Sequence, residues 1–194
     1  MRLLVATTNR GKLIEIRAVL AGLGIAIESL DRYPEVTEAE EHGTTFAENA
    51  RAKATHYSHQ TGQLAVAEDS GLEVDALDGA PGVLSARFNG HSYPDKFAEI
   101  NRQLSAKGVD GSAARFVCAL AVADDQQVLF EATGVVEGAI IREPAGAGGF
   151  GYDPIFFYPP YGRTLAEVSA EEKAAVSHRG QAFRELRSYL QTRL

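Results

Sequence analysis

The sequence has few of the features on which disulfide-rich, zinc-binding and membrane-spanning proteins depend. Its single cysteine, Cys118, lies inside the apolar run "FVCALAVA". One cysteine excludes a disulfide framework, and the apolar setting predicts a small buried side chain. His56 and His59 lie three apart, but no third ligand has a matching spacing, so a solvated helix face explains them better than a zinc site. No apolar run approaches membrane-spanning length, and the N-terminus lacks the apolar segment of a signal peptide. We therefore expect a soluble, cytoplasmic protein without a membrane partner.

Positive charge is also scarce. The 194 residues include 19 Lys and Arg against 26 Asp and Glu, which gives a net charge of −7. This balance argues against sequence-independent binding of nucleic acid, because Lys and Arg must neutralise the phosphates. A small polyphosphate can still bind if the few cations converge or if a divalent metal bridges like charges. The chain has no repeat or low-complexity tract, and we predict one domain over residues 1–194, long enough to bury a substantial core.

The segment "LLVATTNRGK" (residues 3–12) passes from an apolar run to a polar turn. Apolar residues such as Ile16 and Leu20 then recur at helical spacing, while Lys12 and Glu15 fall on the other side. A strand, a polar turn and a helix start in this order direct free N–H groups and the positive helix end at an anion. The segment is not a Walker loop, because the second glycine and the Ser or Thr after the lysine are missing. A capped turn with a solvated lysine fits these residues equally well.

Strand patterns and helix patterns alternate early in the chain, and a long hairpin follows later. Capping boxes of the Thr-x-x-Glu and Ser-x-x-Glu type start two of the helices. The predicted strands cover residues 25–30 and 64–69 and, as an antiparallel hairpin, 114–141. The predicted helices cover residues 44–60, 92–108 and 169–194, the last with a break at Gly180. This order predicts an α/β fold with a mixed sheet rather than a purely parallel one.

The run "GAGGFG" (residues 146–151) matches the dinucleotide-binding pattern G-x-G-x-x-G letter by letter. That pattern binds a cofactor only where it follows a strand and opens a helix. Here Pro144 precedes it and the strand-like "YDPIFF" continues from it. We therefore predict a flexible loop whose glycines let the backbone approach a ligand or another chain. Phe150 in this loop is predicted to be a tucked anchor or a stacking platform.

Two pairs of neighbouring carboxylates are candidates for chemistry. Glu68 and Asp69 end a predicted strand and precede Ser70, at the sheet edge where ligand sites of α/β proteins form. Glu40 and Glu41 lie in an acidic segment before the second helix. Two carboxylates near a polyphosphate suit Mg²⁺, and one of them can orient or deprotonate an attacking water. An ordinary solvated loop explains Glu40 and Glu41 better when they are taken alone, whereas a functional role explains Asp69 better.

A polar cluster lies near the C-terminus. Lys173 and Ser177 are four apart and so share a helix face, and the run "SHRGQ" has no apolar stripe. His178 and Arg179 can read carbonyl oxygens on a small heterocycle. The alternative is a helix cap with a surface arginine.

Five segments together resemble one family. They are "ATTNRGKLIEI", "EEHGTTFAENARAKA", "AEDSGLEVDALDGAPGVLSARF", "REPAGAGGFGYDPIFFYP" and "EEKAAVSHRGQAF". They are similar, in the same order, to the successive signatures of the inosine triphosphate pyrophosphatase family, whose bacterial members are dITP/XTP pyrophosphatases. The resemblance implies an elongated mixed β-sheet flanked by helices, two lobes around a central cleft, and a homodimer. It further implies Mg²⁺-dependent hydrolysis of deaminated purine nucleoside triphosphates (ITP, dITP, XTP and dXTP) to the monophosphate and pyrophosphate, which cleanses the nucleotide pool.

The resemblance also implies roles for single residues. Asp69 becomes the proton acceptor and, with Glu40, a ligand of Mg²⁺. The first turn binds phosphate, and Phe150 lies against the base. The substrate-binding residues that it implies are Thr7, Thr8, Asn9, Arg10, Gly11, Lys12, Ser70, Phe150, Gly151, Tyr152, Asp153, Lys173, His178 and Arg179. Bacterial relatives commonly carry Asp-Asp where this chain has Glu68 and Asp69, a difference that concerns only the details of metal coordination.

Two other function classes compete with this interpretation. A non-catalytic sensor of purine nucleotides would keep the Lys12 turn and the base pocket but would not need metal-binding carboxylates. The presence of both Glu40 and Asp69 therefore favours an enzyme. A Rossmann oxidoreductase would need a glycine fingerprint at the first turn, which "TTNRGK" lacks.

Overall fold

The structure, a computed structural model, describes residues 1–90 and 92–193. Within these residues, seven strands and five α-helices are present. The strands are β1 (Arg2–Val5), β2 (Ala26–Ser29), β3 (Ala65–Val74), β4 (Ser112–Asp124), β5 (Gln127–Ile140), β6 (Phe156–Tyr158) and β7 (Arg163–Thr164). The helices are α1 (Arg10–Leu20), α2 (Phe46–Thr61), α3 (Tyr93–Ala106), α4 (Ala170–Val176) and α5 (His178–Gln191).

All seven strands belong to one sheet, in the order β2-β1-β3-β4-β5-β6-β7. Strand β1 pairs in parallel with both β2 and β3, as strands connected through helices do. Strand β6 pairs antiparallel with β5 and β7. The neighbours β4 and β5 are joined by two residues, of which Asp125 has the positive φ of 52° that a tight hairpin turn requires. The predicted mixed α/β sheet is therefore confirmed.

The helices begin where their sequences provide a cap. The hydroxyl of Thr45 accepts a hydrogen bond from the Glu48 N–H, and the Glu48 side chain accepts one from the Thr45 N–H. Ser169 and Glu172 form the same reciprocal pair at the start of α4. Each box satisfies two N–H groups that a helix start leaves without an intrahelical partner. Both predicted capping boxes are confirmed.

Two predicted boundaries are wrong. Strand β3 does not end at Asp69 but continues to Val74, because the buried Leu72 and Val74 keep the two-residue alternation of a strand. The C-terminal helical segment breaks at Ser177, which has an extended backbone, and not at Gly180. Gly180 lies inside α5 at a buried position. Residue 194, the end of the predicted helix, lies outside the described residues.

The chain divides into two compact units. The first consists of Met1–Ser70, Cys118–Gly134 and the chain from His178 onward, and the second consists of Gly71–Val117 and Val135–Ser177. In the first unit, Ile16 and Leu20 of α1 and Phe183 of α5 belong to one apolar core with residues of β1, β3 and β4. In the second unit, α3 contributes to a separate core with β4, β5 and β6. Among the described residues, no helix combines the length and the apolarity needed to span a membrane.

Gly134 of β5 lies against the start of α5. A Cβ at this position would overlap the carbonyl oxygen of His178 and would lie 2.8 Å from the Ala182 backbone nitrogen. Backbone atoms cannot move aside as a flexible side chain can. The absence of a side chain at Gly134 therefore lets α5 approach the sheet.

We expect Gly134→Ala to lower the free energy of unfolding by about 3 kcal/mol, because one extra methyl group must displace the helix backbone. Gly62→Ala is the matched control, since Gly62 has a φ of 62° but open space around it. Its backbone strain alone should cost about 1–2 kcal/mol. Urea unfolding followed by circular dichroism measures both variants. Equal losses would contradict the close approach of α5.

Candidate active site

Strand β3 carries Glu68 and Asp69 side by side, and both are buried, with 5% and 8% of their surfaces exposed. Successive residues of a strand point to opposite faces of the sheet. Accordingly, Glu68 contacts α1 and α5, whereas Asp69 contacts α2. The two neighbouring carboxylates therefore belong to two different clusters, both within the first unit.

The Asp69 carboxylate is held through both of its oxygens. The Asn49 side-chain amide donates to Oδ2 over 3.1 Å, and the Lys53 ammonium donates to Oδ1 over 3.0 Å. The same ammonium lies 2.8 Å from Oε1 of Glu41. Burial by itself lowers the pKa of Lys53, but the charges of Asp69 and Glu41 outweigh it and raise the pKa. Lys53 therefore remains a cation between two carboxylates at neutral pH.

The structure brings Glu41, rather than Glu40, to the Asp69 cluster. Glu40 is exposed, and its carboxylate lies 2.9 Å from Nε2 of the exposed His42. Glu41 is half-buried and shares Lys53 with Asp69. In the sequence the two glutamates differ in nothing but their order, so only the fold distinguishes them.

Sequence reasoning missed Asn49 and Lys53, although the sequence contains a signal for both. Phe46, Ala50 and Tyr57 mark the buried stripe of α2. Asn49 and Lys53 are four apart on that same stripe, where apolar residues are expected. Polar residues at buried helix positions need polar partners, and here the partner is Asp69.

The carboxylates of the Asp69 cluster fit a Mg²⁺ ion by their chemistry. Glu41 and Asp69 direct oxygens at one cation, the ammonium of Lys53. Mg²⁺ commonly takes one or two protein carboxylates and completes its octahedron with waters and substrate phosphates. Among residues 1–90 and 92–193, no three His, Cys, Asp or Glu side chains are grouped to hold a metal.

Glu68 is the centre of the second cluster. Its Oε1 lies 2.6 Å from Nζ of Lys12 and 3.3 Å from Nη2 of Arg179. The thiol of Cys118 donates to Oε2 over 3.4 Å. Burial by itself raises the pKa of Glu68, but the charges of Arg179 and Lys12 outweigh it and hold the pKa well below its usual value. Burial also raises the pKa of the Cys118 thiol, so the predicted small buried side chain is neutral.

Arg179 joins three elements of the first unit. Its Nη1 donates to Glu15 over 2.7 Å, and its Nη2 donates to Ser70 Oγ over 2.9 Å as well as to Glu68. Only 2% of Arg179 is exposed, so the expected alternative of a surface arginine is wrong. Lys12 and Glu15 also do not lie on a solvated face, because Glu68 attracts Lys12 and the buried Arg179 attracts Glu15. The predicted substrate residues Lys12, Ser70 and Arg179 are thus brought together.

The predicted strand, polar turn and helix at the N-terminus are present. Asn9 caps α1, its Oδ1 accepting from the Lys12 N–H over 3.1 Å, and the Asn9 N–H donates to the Thr7 hydroxyl over 3.2 Å. Thr8, Asn9 and Arg10 are exposed, and Gly11 lies in the first helical turn. The turn therefore presents polar side chains and the start of a helix to solvent.

In the second unit, the glycine-rich segment is a loop, as predicted, but the strand predicted from "YDPIFF" begins only at Phe156, after a 3₁₀ turn at Asp153–Ile155. Asp153 orders it, because its Oδ2 accepts from the Phe150 N–H over 2.8 Å and from Lys173 Nζ over 2.6 Å. The Lys173 ammonium also lies 4.4 Å from the centre of the Phe150 ring. A side chain at Gly149 would collide with the Asp153 carboxylate. Phe150, Gly151, Tyr152, Asp153 and Lys173 therefore form one cluster.

His178, the remaining predicted substrate residue, is buried at the first position of α5. Its carbonyl oxygen lies against Gly134 of the first unit. It precedes Arg179 directly, so the start of α5 fixes both residues.

Comparisons with known proteins show which family the chain belongs to. The profile of the Ham1 family matches residues 3–189. The chain belongs to the Ham1 family. A dITP/XTP pyrophosphatase of Exiguobacterium sp. (strain ATCC BAA-1283 / AT1b) is 49% identical over 189 residues, which cover 96% of this chain and 95% of that protein. The dITP/XTP pyrophosphatase of Geobacter sulfurreducens is 45% identical and covers 97% and 96%. The family resemblance of the sequence is confirmed.

Solved structures of Ham1-family proteins are similar to this chain over its whole length. A HAM1 protein from Coxiella burnetii superposes with a TM-score of 0.92 at 40% identity, covering 99% of both chains. The Staphylococcus aureus Ham1 protein superposes with a TM-score of 0.88 at 31% identity, covering 100% of both. These similarities confirm the predicted mixed sheet flanked by helices.

The Glu68 cluster predicts a pH-dependent contribution to stability. Glu68→Gln keeps the shape of the side chain but leaves Lys12 and Arg179 without a buried anion. Breaking a buried ion pair costs about 3–5 kcal/mol, and we expect a loss of that order at pH 7. The stabilisation by ionised Glu68 is fully present above the unfolded-state pKa of about 4.3 and is lost as the pH falls through the lower folded-state pKa.

The difference in unfolding free energy between wild type and Glu68→Gln should therefore shrink as the pH falls from 7 towards 3. Urea unfolding at several pH values measures it. The control is Glu38→Gln at an exposed position, where we expect a change within about 0.5 kcal/mol. A large difference that stays constant down to pH 3 would contradict an ion-pair origin.

Proposed function

We propose that this chain hydrolyses deaminated purine nucleoside triphosphates (ITP, dITP, XTP and dXTP) to the monophosphate and pyrophosphate. It thereby removes them from the nucleotide pool of the cytoplasm. Curated relatives named dITP/XTP pyrophosphatases are 45–49% identical over nearly the whole chain. The observation that carries the proposal is a buried Asp69 whose two oxygens are fixed by Asn49 and Lys53, next to the carboxylate of Glu41.

The triphosphate binds at the start of α1. Thr7, Thr8 and Asn9 provide polar groups there, Gly11 lets the backbone come close, and Lys12 provides positive charge. The helix start adds N–H groups and the positive end of the helix dipole. This explains how a chain with a net charge of −7 binds a polyanion, since the cations needed are local.

Mg²⁺ is the proposed cofactor. When bound, it would neutralise phosphate oxygens and so make the phosphorus easier to attack. Glu41 and Asp69 are the residues that would hold it, since both already face one cation. Glu40, which the family resemblance implies as a ligand, precedes Glu41 directly, and its carboxylate is exposed.

Asp69 is the proposed proton acceptor. The bond between the α- and β-phosphates breaks as a water adds to phosphorus, and the proton that this water loses goes to the Asp69 carboxylate. Asn49 and Lys53 each bond one of its oxygens and so fix its orientation. Ser70 follows directly in β3 and lies beside the substrate.

The nucleoside is recognised by Phe150, Gly151, Tyr152, Asp153 and Lys173. Phe150 lies against the base, and its loop is held by the buried ion pair of Asp153 and Lys173. Selectivity follows from the 6-position of the purine, where hypoxanthine and xanthine carry an oxygen and adenine carries an amino group. His178 and Arg179 are hydrogen-bond donors, which favour the oxygen. Two buried groups left unpaired, at about 1–3 kcal/mol each, give roughly two to four decades of discrimination.

Release of pyrophosphate from ITP, XTP, ATP and GTP at one Mg²⁺ concentration tests the proposed function. We expect kcat/KM for ITP and XTP to exceed that for ATP and GTP at least tens of times. Asp69→Asn, which keeps the shape but removes the base, should lower turnover by roughly two to four decades while triphosphate binding survives. Equal efficiencies for ITP and ATP would contradict the proposal. Binding without pyrophosphate release would favour the sensor instead.

The two neighbouring glutamates provide a matched pair for the metal site. We expect Glu41→Gln to raise the Mg²⁺ concentration at half-maximal activity about tenfold or more, because it removes a carboxylate that faces the cation. Glu40→Gln should change that concentration less than about twofold. The opposite order would assign the ligand to Glu40, as the resemblance implies.

The protein is also proposed to work as a homodimer, as the family resemblance implies. Sedimentation velocity at micromolar concentration should then show a species of about twice the chain mass of 20.8 kDa.

A further inference from the structure

Lys96 of α3 is a buried lysine whose contacts are unusual. Only 2% of it is exposed, and burial lowers its pKa. No carboxylate among the described residues forms an ion pair with it. Its partners are instead backbone carbonyl oxygens and an aromatic ring. Burying an ammonium without a counter-ion costs folding free energy, so a buried Lys96 calls for a specific role.

The Lys96 ammonium holds two successive carbonyl groups. It donates to the Ala86 carbonyl oxygen over 2.5 Å and reaches that of Ser85 at 3.5 Å. It also lies 4.8 Å from the centre of the Tyr93 ring, within cation–π distance. Three donors on one flexible stem suit two adjacent carbonyls, and a charged donor makes a stronger bond than a neutral one. Lys96 thus fixes the backbone at residues 85 and 86.

The Ser85 carbonyl is also the anchor of Tyr152. The Tyr152 hydroxyl donates to it over 2.8 Å, and Tyr152 itself is buried. The Tyr93 ring packs edge-on against the Tyr152 ring, with 5.3 Å between their centres. Lys96 therefore acts on Tyr152 twice, once through Ser85 and once through Tyr93.

Tyr152 lies in the loop that carries the nucleoside-binding residues. Phe150 and Asp153 flank it, and Asp153 fixes one side of the loop through Lys173. The bond from Tyr152 to Ser85 fixes the other side. All of these contacts lie within the second unit.

We propose that Lys96 is a positioning residue for nucleoside binding: through the Ser85 carbonyl and the Tyr93 ring it holds Tyr152 and, with it, the Phe150 loop. This inference rests on the proposed function, because it takes the loop to bind the nucleoside. Lys96 does not touch the phosphates, so its loss should weaken binding of the nucleoside part alone.

The test is Lys96→Met, which keeps the length of the side chain and removes its donors and charge. We expect KM for ITP to rise about tenfold or more, the equivalent of one lost charge-assisted hydrogen bond, with kcat within about threefold of wild type. The inhibition constant of inorganic tripolyphosphate should stay within about twofold of wild type, because this ligand has no nucleoside. Lys96→Gln, which retains amide donors, should have an intermediate KM.

Lys107→Met is the matched control. Lys107 follows α3, is exposed and pairs with the surface residue Asp78, so the kinetics of this variant should equal those of the wild type. Thermal unfolding verifies that each variant is folded at the assay temperature, and if Lys96→Met is not, Lys96→Gln carries the test. An unchanged KM for ITP, or equal shifts in KM and in tripolyphosphate inhibition, would overturn the proposal. A wild type that releases no pyrophosphate from ITP would instead overturn the proposed function.

Discussion

The alternation of side chains along β3 is the constraint on which the site depends. Because neighbouring strand residues point to opposite faces, Glu68 meets Lys12 and Arg179, whereas Asp69 meets Lys53. One step of the chain thus separates two buried carboxylates that would repel each other on a single face. It also gives each of them its own cation. Glu68, where the family resemblance implies an aspartate, lies on the face that contacts α1 and α5.

Both clusters surround a buried carboxylate with polar and charged partners, but their roles differ. A buried carboxylate is tolerated only when cations and hydrogen-bond donors replace its lost water. Around Glu68 these partners are short, buried contacts that tie α1, β3 and α5 together. Around Asp69 these partners are Asn49 and Lys53, and Lys53 is shared with a second carboxylate, that of Glu41. The resulting surplus of negative charge suits a divalent cation. The first cluster therefore organises the site, and the second carries the proposed chemistry.

Much of the fold is readable from the sequence, because its signals are local. The turn before α1, the capping boxes and the hairpin each depend on residues a few positions apart. The partners in the site are not local: Asp69 meets Lys53 across 16 positions, and Arg179 meets Glu15 across 164. Helical periodicity puts Glu15 on the side of α1 opposite the apolar residues, and it contains no information about a buried arginine from another helix. Among these contacts, only Asn49 and Lys53 have a sequence signal, because they are polar residues within the buried stripe of α2.

Glu68 holds the cations of Lys12 and Arg179 in place, and we propose that Asp69 faces the metal. Electron paramagnetic resonance of Mn²⁺, with a non-hydrolysable ITP analogue bound, tests this claim without turnover. We expect Glu68→Gln to keep the Mn²⁺ affinity within about twofold of wild type, whereas Asp69→Asn should lower it about tenfold or more. A tenfold loss in Glu68→Gln with unchanged affinity in Asp69→Asn would contradict it.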